Sequence, residues 1–207
     1  MTSIPFWTAH GAIDLADLQP HDLTAEILAD ALAKVNRYGG RTREPWPVAG
    51  HSVLVEHLCP VDLKPWALLH DAHEAFLGDI VTPAVDLIAS VGNLPHFDDA
   101  LAYVKGQIDR RIASAWGVAV RSLHPALIRA DRIALCAEAE VFIGGAIARL
   151  EPGDGEDIDR AVTMLLEMRC DWRAARDLWL SRVEHHASLG GISPPAGKTP
   201  ARPGGAT

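Results

Sequence analysis

"LLHDAHEAFLGDI", residues 68–80, has the apolar spacing of a core-facing helix, yet it carries two histidines, two aspartates and a glutamate. A charge turned toward a core is costly unless it is paired, hydrogen-bonded or coordinated to a metal. On a helix, positions three and four apart share a face, so Glu74 lies one turn beyond both His70 and Asp71. The adjacent His70 and Asp71 are about 100° apart and can converge on one point. This one segment therefore offers an imidazole and two carboxylates to a shared ion, and other helices must complete the shell. The best candidates are His51 in "PVAGHSVLVEHL" and Asp131 in "LIRADRIALCAEAE", each in an otherwise apolar helical run.

The sequence around these residues reads as helix almost throughout. Leu23, Ile27, Leu28, Ala31, Leu32 and Val35 recur at helical spacing, with Asp22 or Thr24 as N-cap and Gly39-Gly40 as a stop. A second helix is expected from Pro47 to Leu58, closed by Cys59-Pro60. A third is expected to be capped by Asp62, with Pro65 in its first turn and Gly78 at its end. Further helical patterns cover Phe97 to Trp116, His124 to Leu150 and Glu156 to Ser188, and no convincing strand alternation appears. The expected fold class is all-α, a helical bundle over residues 1–187 with an N-terminal extension. The stretch 188–207 is rich in Gly and Pro and reads as a tail.

Composition excludes several classes of function. The three cysteines, Cys59, Cys136 and Cys170, include no C-x-x-C pair, so neither a disulfide framework nor a thiolate zinc site is expected. No basic region followed by an apolar run opens the chain, and no segment approaches the roughly 20 apolar residues of a membrane span. A cytoplasmic protein without membrane association is expected. A formal net charge of -8 argues against long nucleic acid as a partner, since that binding relies on a basic surface.

The spacing His51, His70-Asp71, Asp131 resembles the HD-domain phosphohydrolase superfamily, whose signature is an isolated His, an adjacent His-Asp pair and a distant Asp. Within it, "HDAHEAFLGD" from His70 to Asp79 is similar to the H-D-x-x-E-x-x-x-G-D segment of YfbR-type 5'-deoxynucleotidases and related phage dATP triphosphohydrolases. The upstream "NRYGGRTREPWPVAGHS" also looks like that branch. The resemblance implies an HD-domain helical bundle in which His51, His70, Asp71 and Asp131 hold one divalent ion. The ion implied is Mn, Co, Ni, Zn, Fe or Mg, and nitrogen with carboxylate ligands suits the first five better than Ca. It further implies that Glu74 and Asp79 do acid-base work, that Arg37 clamps phosphate, with Arg41 and Arg43 as competitors, and that Tyr38 stacks on a base or sugar. The expected activity is phosphate release from a (deoxy)nucleoside 5'-monophosphate. A dNTP triphosphohydrolase, a non-catalytic nucleotide sensor and an oxidative di-iron HD enzyme are the alternatives, the last of which needs additional His or Asp ligands between the His-Asp pair and Asp131. The expected partner is a small-molecule nucleotide, and a homodimer is an admissible assembly. In one respect the chain departs from those relatives: where they often carry a Thr-Pro-x-Lys turn, "VTPAVD" places Val85 at the Lys position.

Each of these residues also has a simpler reading. His51 can be a hydrogen-bonded core histidine, and Asp131 can pair with Arg129 or Arg132. Glu74 and Asp79 can be solvating charges, Arg37 can neutralise a helix C-terminus, and Tyr38 can be a packing residue. His73 reads as a supporting or surface residue, His57 as structural, and His185-His186 as surface. His96 and His124 lie in no recognisable ligand spacing, and the six Trp read as core or interface.

Overall fold

The computed structural model describes residues 2–145, 153–168 and 171–197. Its centre is helix α2 (Val48–Leu58), in which every residue from Val48 to Glu56 is buried. A helix apolar on all sides belongs in the middle of a bundle, and α2 packs against α3 (Lys64–Leu69), α7 (Pro125–Glu138), α8 (Gly155–Glu167) and α9 (Trp172–Ser188). Close approach to Trp46 requires glycine on this helix, because a Cβ at Gly50 would meet the indole at 2.9 Å. Trp46 then stacks on Phe142, with ring centroids 5.0 Å apart. Trp46, Trp66, Trp116 and Trp179 are fully buried, and Trp7 is exposed.

Helix α1 (Ala25–Leu32) is capped by Thr24, whose hydroxyl accepts from Ile27 N at 3.3 Å, and it packs on α9. It ends well before Gly39-Gly40; a separate 3-10 turn spans Arg37–Gly40. The third expected helix is interrupted. Helix α3 ends at Leu69, residues 70–73 form a turn, and α4 (Glu74–Leu77) resumes before Gly78 turns the chain at φ 75°. Asp62 does not cap α3, since Leu63 stands at the N-cap with no side-chain bond. Helices α5 (Thr82–Val91) and α6 (Phe97–Trp116) pack on each other. α6 has the bounds the sequence predicts.

Three further expectations change. A short antiparallel hairpin, β1 (Pro5–Thr8) with β2 (Gly11–Asp14), precedes the bundle where no strand is expected. The run from His124 is helical as α7 and then a π turn, Ala139–Ile143, that stops at Gly144 in the left-handed region; residues 146–150 lie outside the described part. The run from Glu156 to Ser188 is two helices, α8 and α9, rather than one. Beyond α9, Ile192 is buried and Ser193 N donates to Trp116 O at 2.8 Å, so the first part of the Gly/Pro-rich segment packs on the bundle. Residues 198–207 lie outside the described part, as does Cys170; Cys59 and Cys136 are buried free thiols. Among the described residues no helix is long and apolar enough to cross a membrane.

Candidate metal centre

His51 sits in the most buried stretch of α2, and both of its ring nitrogens face carboxylates. Nδ1 lies 2.6 Å from Glu138 Oε1, while Nε2 lies 3.2 Å from Asp131 Oδ1 and 3.4 Å from Asp71 Oδ2 without hydrogen-bond geometry to either. His70 is arranged in the same way. Its Nδ1 lies 2.8 Å from Ala67 O, and since a carbonyl only accepts, that nitrogen carries the proton. In the neutral imidazole its buried Nε2 then has a bare lone pair, 3.3 Å from Asp71 Oδ2 and 4.0 Å from Asp131 Oδ1. One ligand atom each from His51, His70 and Asp131 lie within 4.8 Å of one another, and Asp71 Oδ2 approaches both imidazoles. Two buried imidazole nitrogens without donors, facing two carboxylates, make a set that could hold a divalent ion. Partners on the far nitrogens fix each tautomer, as is usual for metal-bound histidine.

The electrostatics point the same way. Burial and the nearby Arg37 push His51 toward its neutral form, yet Glu138, Asp131 and Asp71 outweigh them and hold its pKa well above the ordinary histidine value. For His70 burial is again outweighed, chiefly by Asp71, so its pKa is also raised. These pockets attract positive charge. An ion would supply it and leave both imidazoles neutral.

Local structure explains why one short segment can face this centre with several groups. Around the turn at 70–73 the backbone bonds run three residues apart, Ala72 N to Leu69 O and Glu74 N to Asp71 O, both at 2.9 Å. In such a 3-10 arrangement residues i and i+3 eclipse, so Asp71 and Glu74 are stacked on one side. Glu74 is buried, and its Oε2 has no hydrogen-bond partner. Burial, then Asp71 and Asp79, push its carboxyl up to about 9. It is not a solvating surface charge. Asp79, placed after the Gly78 turn, is half-buried with an unpartnered buried Oδ2.

Arg37 reaches the centre because the loop it opens folds back. Its backbone N donates to Trp46 O at 2.9 Å, and Asn36 pairs with Pro47, so the chain returns beside the start of α2. Its guanidinium lies 3.6 Å from Asp71 Oδ2 and 3.4 Å from Glu138 Oε2. Tyr38 adopts the left-handed region, φ 59°, rare for a non-glycine residue. Its hydroxyl donates toward Leu135 O and Glu138 Oε2, both at 3.3 Å, so it braces α7 beside the centre. Arg41 turns back on Gly39 O, and the Arg43 guanidinium lies over Gly144.

The simpler reading of Asp131 does not hold, because Arg129 bonds Asp154 and Asp157 and Arg132 bonds Asp154. His73 takes the supporting rather than the surface half of its expectation, at 6% exposure with Nδ1 2.9 Å from Asp109 Oδ1. His186 is corrected: it is not a surface residue but lies buried 3.0 Å from Glu56 Oε1. His96 is exposed, and His124 caps α7. Sequence reasoning missed Glu138, which is fully buried and joins His51, Arg37 and Tyr38. Its signal was present: Glu138 follows Asp131 by seven residues, two turns along the same face of α7.

No family model matches the chain. It is 34% identical over 171 residues to an uncharacterized protein of Rhodobacter capsulatus, a match that covers 68% of this chain and 83% of that protein. It is also 31% identical over 80 residues to the uncharacterized protein YfdR of Escherichia coli, covering 39% of this chain and 45% of YfdR.

Proposed function

This chain belongs to the same family as the uncharacterized Rhodobacter capsulatus protein, and we propose that it is an HD-type, metal-dependent phosphohydrolase acting on a (deoxy)nucleoside 5'-monophosphate. The observation that carries the proposal is the pair of buried, donor-free Nε2 atoms of His51 and His70, facing Asp71 and Asp131 beside a protonatable Glu74. His51, His70, Asp71 and Asp131 would hold a divalent ion, which would supply Lewis-acid polarisation of a phosphoryl oxygen and a lowered pKa for water beside it.

The rest falls to the chain's own residues. His51 and His70 present lone pairs because Glu138 and Ala67 O hold their other nitrogens. Glu74, buried with Oε2 unpartnered and its carboxyl raised by burial and by Asp71 and Asp79, is suited to hold a proton for the leaving oxygen, and Asp79 is the second carboxylate on that side. Arg37 is permanently charged, and only part of its five-donor fork is engaged by Asp71 and Glu138, so further N–H groups remain to meet a phosphate oxygen. A monophosphate fits this inventory. Val85, half-buried on α5, adds no second cation for a longer polyphosphate.

The test is to load the purified protein with Mn and assay it against nucleoside monophosphates, their deoxy forms and dNTPs, detecting phosphate and triphosphate separately. Phosphate release from monophosphates is the expected result. Triphosphate release from dNTPs would reassign the substrate, and an inactive protein that still binds nucleotide would favour the non-catalytic reading.

A further inference from the structure

Half-buried cations in this chain are matched by acids, with one exception. Arg37, Lys64, Arg111, Arg132, Arg176 and Arg182 each meet a carboxylate. Lys105 on α6 is also half-buried, yet it makes no hydrogen bond or ion pair among the described residues. It does not stand on the solvent side of its helix. Lys105 shares the inward stripe of α6 with Ile108, Asp109 and Ile112, three, four and seven positions on and all buried.

Helix geometry brings that stripe to the candidate centre. α5 and α6 pack on each other across the link 92–96, as a helical hairpin. Both helices rise equally per residue, so the ten residues of α5 are matched by about ten of α6 on the way back. Lys105 is thereby level with the start of α5, which begins three residues after Asp79. One turn further along α6, Asp109 Oδ1 lies 2.9 Å from His73 Nδ1, within the turn that carries Asp71. The electrostatics agree with this placement: burial, Asp71 and Asp79 raise the Glu74 carboxyl, with Arg37 and Lys105 acting against them. Two cations from separate elements therefore act on one carboxyl, Arg37 from the loop before α2 and Lys105 from α6.

We propose that Lys105 is a second phosphate-contacting residue, whose ammonium meets a non-bridging oxygen of the same phosphate that Arg37 clamps. The inference rests on the phosphohydrolase reading above. An ammonium suits the task because it is a compact charge with three rotatable donors on a flexible stem. α5 carries no Lys, Arg or His, which leaves the contact on this side of the site to Lys105.

The experiment is a calorimetric titration of inorganic phosphate into the Mn-loaded full chain, for wild type, Lys105→Met and Lys105→Arg, with kcat and KM for dAMP measured alongside. Met keeps most of the apolar stem and removes the charge. Lys105→Met should weaken phosphate about 10- to 100-fold, the scale of a charge-assisted hydrogen bond, and lower kcat/KM for dAMP by a similar factor, with Mn content and Tm as in wild type. Lys105→Arg should recover most of both losses. Lys105→Gln serves as the neutral variant should Lys105→Met fail to fold. Unchanged phosphate affinity in the neutral variant of an active enzyme would overturn the contact and leave the phosphohydrolase reading standing. Equal losses in Lys105→Arg would overturn it as well, since packing rather than charge would then be at stake. If the neutral variant loses affinity for tripolyphosphate but not for inorganic phosphate, Lys105 meets a more distant phosphate and the assignment falls. A wild type that binds no phosphate and releases none from any nucleotide would overturn both readings.

Discussion

Replacing Glu138 by Gln keeps the side chain's length and leaves a carbonyl oxygen for His51 Nδ1, but it removes the negative charge that Arg37 and His51 share. In the wild type this fully buried carboxylate faces His51 Nδ1 at 2.6 Å, Tyr38 Oη at 3.3 Å and Arg37 Nε at 3.4 Å. Burial alone would raise its pKa, but His51 and Arg37 outweigh burial and hold it below the ordinary range, so it is ionised at neutral pH. Hydrogen bonds to charged groups contribute about 1 kcal/mol more than neutral ones. Two such bonds put the stability loss of Glu138→Gln at about 2 kcal/mol, a fall in Tm of about 4–8 °C for a chain of this size.

The effect on metal binding should be separate and larger in proportion. Without the carboxylate on Nδ1, His51 is a weaker base at Nε2, and metal affinity should drop about 10- to 100-fold. Calorimetric titration of Mn(II), alongside thermal unfolding of the metal-free protein, measures the two quantities independently. If Tm falls as expected while the Kd for Mn stays within twofold of wild type, Glu138 is a packing residue and the reasoning about His51 fails.

Other substitutions test the rest of the centre. His70→Ala and Asp71→Ala should each abolish stoichiometric metal binding in a protein that stays helical, as elemental analysis and circular dichroism would register; full metal content in either variant would sink the ligand assignment. Glu74→Gln should keep the ion held by His51, His70 and Asp131 but lower kcat about 100-fold, the scale of acid-base catalysis, and an unchanged kcat would remove Glu74 from the chemistry. Away from the centre, burial raises the pKa of Glu56, but His57, Arg182 and Lys64 outweigh it and hold the carboxyl far below its ordinary range, with His186 also 3.0 Å away. A depressed acid stabilises the fold above its unfolded pKa of about 4.3 and loses that contribution as pH falls below it. Urea midpoints should therefore decline below about pH 4.5; Glu56→Gln should cost about 3 kcal/mol of unfolding free energy at pH 7, seen as a lower midpoint, and make the acid decline shallower. An unchanged acid limb would place the pH dependence elsewhere.

How far the sequence could be read depended on whether a feature is local. Helix α6 was legible to its end residues because its apolar spacing runs for 20 residues and Gly117 closes it in the left-handed region. The opening hairpin was not, since strands of four mostly exposed residues show almost no alternation. His51, His70, Asp71 and Asp131 interrupt apolar runs, but it was the spacing shared with the resembling superfamily that singled out His51 and Asp131, and these four are the residues the fold brings together. The break at 70–73 was invisible, because periods of 3.0 and 3.6 differ by less than one residue over so short a stretch. That break matters most to the centre, since it eclipses Asp71 and Glu74.

Glu138 and His186 were missed, and the choice for His73 between supporting and surface residue was left open, for a common reason. Each is settled by a partner distant in sequence: Glu138 by His51, 87 residues away, His73 by Asp109, 36 away, and His186 by Glu56, 130 away. A lone acid near the end of "CAEAE" reads as solvated until packing removes the water. Burial of a histidine becomes tolerable only once an acceptor arrives for one ring nitrogen, and what the other nitrogen faces then decides between structure and chemistry. For His186 one ring nitrogen meets Glu56 and the residue serves the core. For His51, His70 and His73 the acceptor holds Nδ1 and the buried Nε2 has no donor, which separates these three from the other histidines of the described chain.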